Sequence, residues 1–124
     1  DTYNASPEST LAALNLLSEL PGRRIAVLGG MFELGEYEKI GHAKVGMRAA
    51  EVVDQLITFG DLAKEIASSA RDSGLDGRSI VSLEDSSQVV ELLHSILRQG
   101  DVVLIKGSHG LRMDRIVQAL EVEE

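Results

Sequence analysis

Residues 24–30 read RIAVLGG, and this stretch decides the fold. Its apolar run stands between an arginine and two glycines, so both faces of the segment are apolar. This pattern predicts a buried β-strand over residues 24–28. A helical apolar repeat follows over residues 38–53. A buried strand followed by an amphipathic helix is typical of a βαβ unit, in which the strands are parallel.

The same alternation recurs along the chain. Short aliphatic runs predict further strands over residues 55–59, 79–83 and 101–105. Because apolar residues occupy both parities of these runs, we expect helices on both faces of the sheet.

The helices are predicted from caps and from the 3.6-residue apolar repeat. The first begins at Pro7, with Ser6 as its N-cap. The third follows Asp61 as N-cap, and the fourth follows a capping box formed by Asp85 and Gln88. A last helix is predicted from the spacing of four apolar residues, Met113, Ile116, Val117 and Leu120.

These elements predict one domain over residues 1–124, a three-layer α/β/α, Rossmann-like fold with a mostly parallel sheet. Residues 1–4 run straight into the first helix. We therefore expect a first strand that is truncated near its carboxyl end, as in a fragment of a larger protein.

Composition excludes several classes of function. A net charge of −8 and an aromatic content of 3% argue against nucleic acid, which needs cations and stacking platforms. No apolar run approaches the roughly 20 residues of a bilayer span, so we expect no membrane span and a cytoplasmic location. The chain has no cysteine, which excludes disulfides and thiolate metal sites.

Ligands of open parallel sheets bind beyond the carboxyl ends of the strands. Three loops with unusual residues follow such ends, at residues 3–6, 29–36 and 106–110. We therefore predict that these loops lie along one edge of the sheet. Their polar residues should cluster there, namely Asn4, Glu33, Lys106 and Ser108.

The loop at 106–110 reads KGSHG and offers a cation, a hydroxyl and free backbone amides to an anion such as a carboxylate. An equally open interpretation is a simple strand-to-helix turn, with Ser108 as an N-cap and Lys106 in solvent. The loop lacks the GxxxxGK[ST] spacing of a P-loop, so we do not assign it to ATP.

The loop at 29–36 places Glu33 and Glu36 among glycines and apolar residues. The two carboxylates are possible acceptors for an ammonium group. Physical reasoning alone favours the alternative, in which the apolar residues plug the edge of the sheet.

The histidines do not suggest a metal site, because no pair of them has ligand spacing. His42 lies on an apolar helix stripe, which favours a hydrogen-bonded structural histidine over a catalytic one. His94 is predicted to lie at the surface.

The three loops together resemble the C-terminal domain of the Mur ligases, in the branch that adds D-alanyl-D-alanine to UDP-N-acetylmuramoyl-tripeptide. DTYNASP at 1–7 is similar to the family motif D-[ST]-Y-N-A-N-P. GGMFELGE at 29–36, followed by His42 and by VG at 45–46, is similar to GDMxELGE…HxxVG. KGSHGLRM at 106–113 is similar to KGSRxxRM, and the motifs occur in the family's order along the whole chain.

Three residues depart from the family motifs. Ser6 replaces asparagine, Gly30 replaces aspartate, and His109 replaces arginine. Each departure changes a polar group at the expected edge of the site, and His109 is a weaker substitute for the permanent charge of arginine.

The resemblance implies an enzyme of three domains, in which the first holds the UDP-sugar and the central one holds ATP and Mg²⁺. ATP phosphorylates the tripeptide carboxylate, and the amine of D-alanyl-D-alanine then attacks the acyl phosphate. This chain would be the third domain, which orients the amine and excludes water. It would hold no catalytic residue and no metal, and it would be inactive alone.

The resemblance also implies the roles of individual residues. Asp1 matches a position near the ATP ribose. Glu33, Lys106, Ser108 and His109 would face the dipeptide, with Asn4 nearby. The family's sheet order implies that the strand ending at residue 105 lies beside the strand ending at residue 28.

Two other functions remain as alternatives. A receiver-like signalling module also has a lysine after its last strand, but it needs paired acidic residues, and only Asp1 and Asp61 are available here. Another Mur or folylpolyglutamate-type amide ligase would share the fold. The strings YNA and MFELG argue against that second alternative.

Overall fold

The computed structural model describes residues 6–107 and the backbone of residues 114–118. Its sheet has five strands in the order β3-β2-β1-β4-β5. The strands are β1 (Arg24–Gly29), β2 (Gln55–Phe59), β3 (Ile80–Leu83), β4 (Val102–Lys106) and β5 (Asp114–Gln118). The α-helices are α1 (Pro7–Ser18), α2 (Glu38–Val52), α3 (Lys64–Asp72) and α4 (Ser87–Ile96), with 3₁₀ turns at Gly35–Tyr37 and Gly77–Ser79.

The first four strands are parallel, and β5 pairs antiparallel with β4. The mostly parallel sheet predicted from the sequence is therefore confirmed. β1 lies between β2 and β4, as the resemblance implied.

Two apolar clusters cover the two faces of the sheet, which confirms the three-layer arrangement. On one face, Leu14 of α1, Val45 of α2 and Ile66 of α3 pack with Leu28 and Leu104 of the sheet. On the other face, Val89 of α4 packs with the alternate strand residues, which include Ile25, Val27, Ile57 and Val103. Successive residues of a strand point to opposite faces, so each aliphatic strand serves both clusters.

α1 begins where the sequence predicted. The Ser6 hydroxyl accepts the Ser9 backbone N–H at 3.1 Å, and the Ser9 hydroxyl accepts the Ser6 N–H at 3.1 Å. This reciprocal capping box satisfies two N–H groups that the first turn would otherwise leave without partners. Serine at position 6 therefore caps the helix.

The capping box predicted before α4 forms only in part, because the N-cap of this helix is Ser86 and no side chain caps it. The Asp85 carboxylate accepts the Ser87 N–H at 2.9 Å, and the Gln88 side chain accepts the Asp85 N–H at 3.3 Å. The prediction for α3 was wrong, because its N-cap is Ala63 and no side chain caps it. Asp61 instead forms an ion pair with Lys64 at 3.1 Å.

The predicted last helix was also wrong, because residues 114–118 form β5. The spacing of Ile116 and Val117 fits a helix, but both side chains are β-branched and fit a strand as well. Pairing with β5 satisfies the backbone groups along the outer edge of β4, a tertiary interaction that local periodicity does not report. The predicted truncated first strand falls on residues 1–5, outside the described part of the chain.

An ion pair joins the amino ends of β1 and β4, at the end of the sheet opposite to the loops that follow these strands. Arg23 donates to the Asp101 carboxylate at 3.1 and 2.7 Å and to the Ile96 carbonyl at 2.6 Å. The Arg98 N–H donates to the same carboxylate at 2.8 Å. Burial acts to raise the pKa of Asp101, but the Arg23 and Arg98 hydrogen bonds and charges outweigh it and lower that pKa.

Replacing Asp101 by asparagine should reduce the free energy of unfolding by about 1.5–3 kcal/mol at neutral pH, because a charged hydrogen-bond acceptor is lost. A carboxylate with a lowered folded pKa stabilises above its unfolded pKa, and this contribution is lost as the pH falls through the folded pKa. The difference between wild type and Asp101→Asn in thermal unfolding should therefore shrink below about pH 4.

Asp76→Asn is the matched control, since the Asp76–Arg78 ion pair is exposed. Its melting temperature should stay close to that of the wild type. Equal effects of the two substitutions would contradict the importance of the Arg23–Asp101 pair.

Candidate functional site

Two of the predicted loops leave neighbouring strands at the same edge of the sheet. β1 and β4 are parallel and in register, with Leu28 paired to Lys106. Lys106 is the last residue of β4, and Glu33 follows the end of β1 by four residues. The carboxyl ends of β1 and β4 therefore bring the two loops to one edge, which we call the carboxyl edge.

The start of α1 reaches the same edge. A Cβ atom at Gly41, in the first turn of α2, would lie only 2.8 Å from Pro7 Cγ. The beginning of α1 therefore packs on the beginning of α2, which itself follows β1. Asp1 and Asn4 lie outside the described residues.

Lys106 is buried, with 4% of its surface exposed. Side chains alternate along β4, and Val102 and Leu104 belong to the cluster under α1, α2 and α3. Lys106 has the same parity, so its side chain starts towards that layer. The alternative that placed Lys106 in solvent was therefore wrong. Ser108 and His109 lie outside the described residues.

The loop after β1 alternates between buried and exposed residues. Met31 is 1% exposed and Leu34 packs against the core, whereas Phe32 is 41% exposed and Glu33 is also exposed. The loop thus has features of both interpretations made from the sequence, the apolar plug and the accessible carboxylate. Met31 and Leu34 plug the edge of the sheet, while Phe32 and Glu33 face outward.

Glu33 has a φ angle of 63° and is the one non-glycine residue with positive φ in the described part of the chain. A left-handed conformation costs an L-residue roughly 1–2 kcal/mol. Such strain persists where the surroundings impose it, and it is enriched at functional sites. Its backbone conformation therefore distinguishes Glu33 from the other non-glycine residues of this loop.

The ring of Phe59 closes the face of the carboxyl edge opposite to α1. Cβ atoms at Gly29 and Gly107 would lie 2.5 and 2.7 Å from Phe59 Cζ, so a side chain at either position would require the ring to shift. A Cβ at Gly30 would lie 2.8 Å from Leu62 Cβ. Aspartate at position 30, as in the family motif, would therefore need a shift of Leu62.

An open cleft of about 450 Å³ lies between the beginnings of α2 and α3. Lys64 is one of the residues that line it, and the hydrogen bond that Lys64 donates to the Asp61 carboxylate raises the pKa of that lysine. Because its charged side chains are of both signs, the cleft has no clear preference for an anion or a cation. It is lined by Glu38, Lys39, His42, Asp61, Leu62, Lys64, Glu65 and Ser68.

His42 is fully buried and hydrogen-bonded, as predicted. The described residues include no group of three or more His, Asp or Glu side chains that could hold a metal ion. Within the same part of the chain, no helix is long and apolar enough to cross a membrane.

Sequence reasoning missed Phe59 and Leu62, which shape the carboxyl edge by contact with glycines. The sequence signal for these contacts was the position of three glycines at the ends of two strands, namely Gly29, Gly30 and Gly107. Glycine at such a position indicates close approach of another group, but the sequence does not say which group approaches.

A three-layer α/β/α domain with loops gathered at the carboxyl edge of a parallel sheet defines a ligand-binding α/β domain. Residues 1–109 match the family model described as Mur ligase, glutamate ligase domain. The chain belongs to the Mur ligase family.

Several relatives share one name, UDP-N-acetylmuramoyl-tripeptide–D-alanyl-D-alanine ligase. The protein from Synechocystis is 37% identical over 99% of this chain and 27% of its own length. The protein from Bacillus subtilis is 32% identical over 97% of this chain and 27% of its own length. The chain thus spans about a quarter of the length of these relatives.

Solved structures agree with this likeness. The MurF ligase from Thermotoga maritima, crystallised with ADP, has a TM-score of 0.70 and 33% identity. The likeness covers 89% of this chain and 24% of that one. A MurF structure from Acinetobacter baumannii has a TM-score of 0.69 and 26% identity, covering 87% of this chain and 24% of that one.

We expect glycine at position 33 to stabilise the chain relative to alanine by about 1 kcal/mol, because glycine adopts positive φ without strain. Glu33→Gly and Glu33→Ala remove the same carboxylate, so their difference isolates the backbone conformation. Thermal unfolding of the two variants measures this difference in stability.

Glu36 provides the matched control, because it is exposed in the adjacent 3₁₀ turn and its φ is not positive. Glu36→Gly should be less stable than Glu36→Ala. The same sign of difference at both positions would refute the strained conformation of Glu33.

Proposed function

We propose that this chain is the substrate-positioning domain of an ATP-dependent ligase that joins D-alanyl-D-alanine to UDP-N-acetylmuramoyl-tripeptide. The observation that supports it most is the pairing of β1 with β4, which brings Glu33 and the buried Lys106 to one edge. The names of these relatives support the choice of substrates. The reaction would take place in the cytoplasm, within a larger enzyme that has an N-terminal and a central domain.

The chemistry of the carboxyl edge suits a dipeptide, which has an amine at one end and a carboxylate at the other. Glu33 would accept hydrogen bonds from the amine, and Lys106 would attract the carboxylate. Ser108 and His109 would add donors on the carboxylate side, with Asn4 nearby. Holding the amine in place converts an encounter between two molecules into a step within one complex.

ATP supplies the phosphoryl group that activates the tripeptide carboxylate. We assign ATP and Mg²⁺ mainly to the central domain, because the described residues lack a metal-binding cluster and the sequence lacks a P-loop motif. Asp1 would approach the ribose. The task left to this chain is to present the dipeptide amine and to keep water away from the activated carboxylate.

The alternatives made from the sequence have less support. The family match overturns the receiver-like module. The description of the family model mentions glutamate, but the relatives named above add D-alanyl-D-alanine.

A ligation assay on the full-length enzyme, with D-alanyl-D-alanine and glutamate offered separately, should give product with the dipeptide alone. Product with glutamate alone would contradict the proposal.

Lys106→Met in the full-length ligase should lower kcat/KM for the dipeptide about tenfold to a hundredfold, because one charged hydrogen bond is lost. Methionine keeps the apolar stem of this buried side chain, so folding should suffer less than with alanine. Lys64→Met is the control, since Lys64 lines the cleft between α2 and α3. A loss confined to Lys64→Met would move the dipeptide site to that cleft.

The chain by itself should neither hydrolyse ATP nor form amide bonds, because phosphoryl transfer needs groups that stabilise the developing charge. Phosphate release with ATP, Mg²⁺ and both substrates should match a heat-killed control. Turnover that stayed with the chain through further fractionation would contradict the proposed division of labour.

A further inference from the structure

His42 is a fully buried polar side chain with both ring nitrogens engaged. Its Nε2 accepts the backbone N–H of Met31 at 2.9 Å. Its Nδ1 lies 2.6 Å from the carbonyl oxygen of Glu38. A backbone N–H can only donate and a carbonyl can only accept, so Nδ1 bears the proton and Nε2 is the acceptor. The two partners thus fix one neutral tautomer.

Met31 is the first of two buried anchors of the loop at the carboxyl edge. Its side chain is 1% exposed, and its sulfur accepts the Thr10 hydroxyl of α1 at 4.0 Å. Its main chain is held by His42 of α2. This residue is therefore tied to two helices at once, by its side chain and by its backbone.

Leu34 is the second anchor. It packs against the core cluster, and a Cβ at Gly41 would lie 3.2 Å from Leu34 Cδ1. Gly41 and His42 are neighbours in the first turns of α2, so one short stretch of helix receives both anchors. Phe32 and Glu33 lie between the anchors and are exposed.

The strained backbone of Glu33 needs such anchoring. Its φ of 63° is unfavourable for a residue with a side chain, and the loop would relax if either end were released. The hydrogen bond from Met31 to His42 fixes the end nearer to β1. The conformation that directs Glu33 outward thus depends on an acceptor eleven residues away in sequence.

We infer that His42 is a positioning residue for the dipeptide, acting through the Met31 N–H and never touching the substrate. This inference rests on the proposed function, because the group being positioned is the Glu33 carboxylate. Its role is to set the affinity for D-alanyl-D-alanine, whereas a purely structural role would set only the stability of the fold.

The contacts of the two ring nitrogens of His42 can be tested separately by substitution. The side-chain amide of glutamine reaches the position of Nε2, so His42→Gln retains an acceptor for Met31. The side-chain amide of asparagine reaches the position of Nδ1, so His42→Asn retains the donor to Glu38 but leaves the Met31 N–H without an acceptor. Each variant thus retains one of the two contacts of His42 and removes the other, so the pair separates the Met31 contact from the Glu38 contact.

The test is steady-state kinetics of the full-length ligase, with melting temperatures measured in parallel. We expect KM for D-alanyl-D-alanine to rise about tenfold in His42→Asn, since an unsatisfied buried N–H lets the loop move. In His42→Gln it should stay within about twofold of the wild type, and KM for ATP should change in neither variant. Equal KM values for the dipeptide in the two variants would overturn the inference.

Hydrogen exchange of the Met31 amide gives a second readout. It should be fast in His42→Asn and protected in His42→Gln. If the wild type makes no product from the dipeptide while this exchange pattern holds, the proposed function fails and the anchoring stands. If His42→Asn does not fold, Leu34→Ala takes its place by loosening the other anchor, and an unchanged KM for the dipeptide would then overturn the inference.

Discussion

The parallel pairing of β1 with β4 is the constraint on which the rest of the site depends. It sets Leu28 beside Lys106, so the loops that follow the two strands leave the sheet at one edge. The ring of Phe59 makes this edge compact, because it lies against Gly29 and Gly107 and would have to shift to admit a side chain at either position. A change of strand order would separate Glu33 from Lys106 even if every helix and strand survived.

The partly buried ion pair and the strained loop of the domain lie at opposite ends of its sheet. At the amino end, the bidentate pair of Arg23 and Asp101 joins the start of β1 to the start of β4. At the carboxyl end, the loop after β1 holds Glu33 in a strained conformation between Met31 and Leu34. Strain at one end is tolerated because apolar packing and the ion pair hold the remainder of the domain together.

The sequence predicted the buried parallel strands closely, because aliphatic residues on both faces leave few alternatives. It also predicted the cap at Ser6, a signal contained within four residues. β5 was missed because the short DRIVQ segment at 114–118 suits a helix or a strand, and the open edge of β4 decides between them. The burial of Lys106 and the bond from Met31 to His42 were missed because both depend on contacts distant in sequence.

A crystal structure of the full-length protein with D-alanyl-D-alanine would test the central claim most directly. The account predicts density for the dipeptide beyond the carboxyl ends of β1 and β4, with its amine towards Glu33 and its carboxylate towards Lys106. Density in the cleft between α2 and α3, or at the Arg23–Asp101 end of the sheet, would contradict the account.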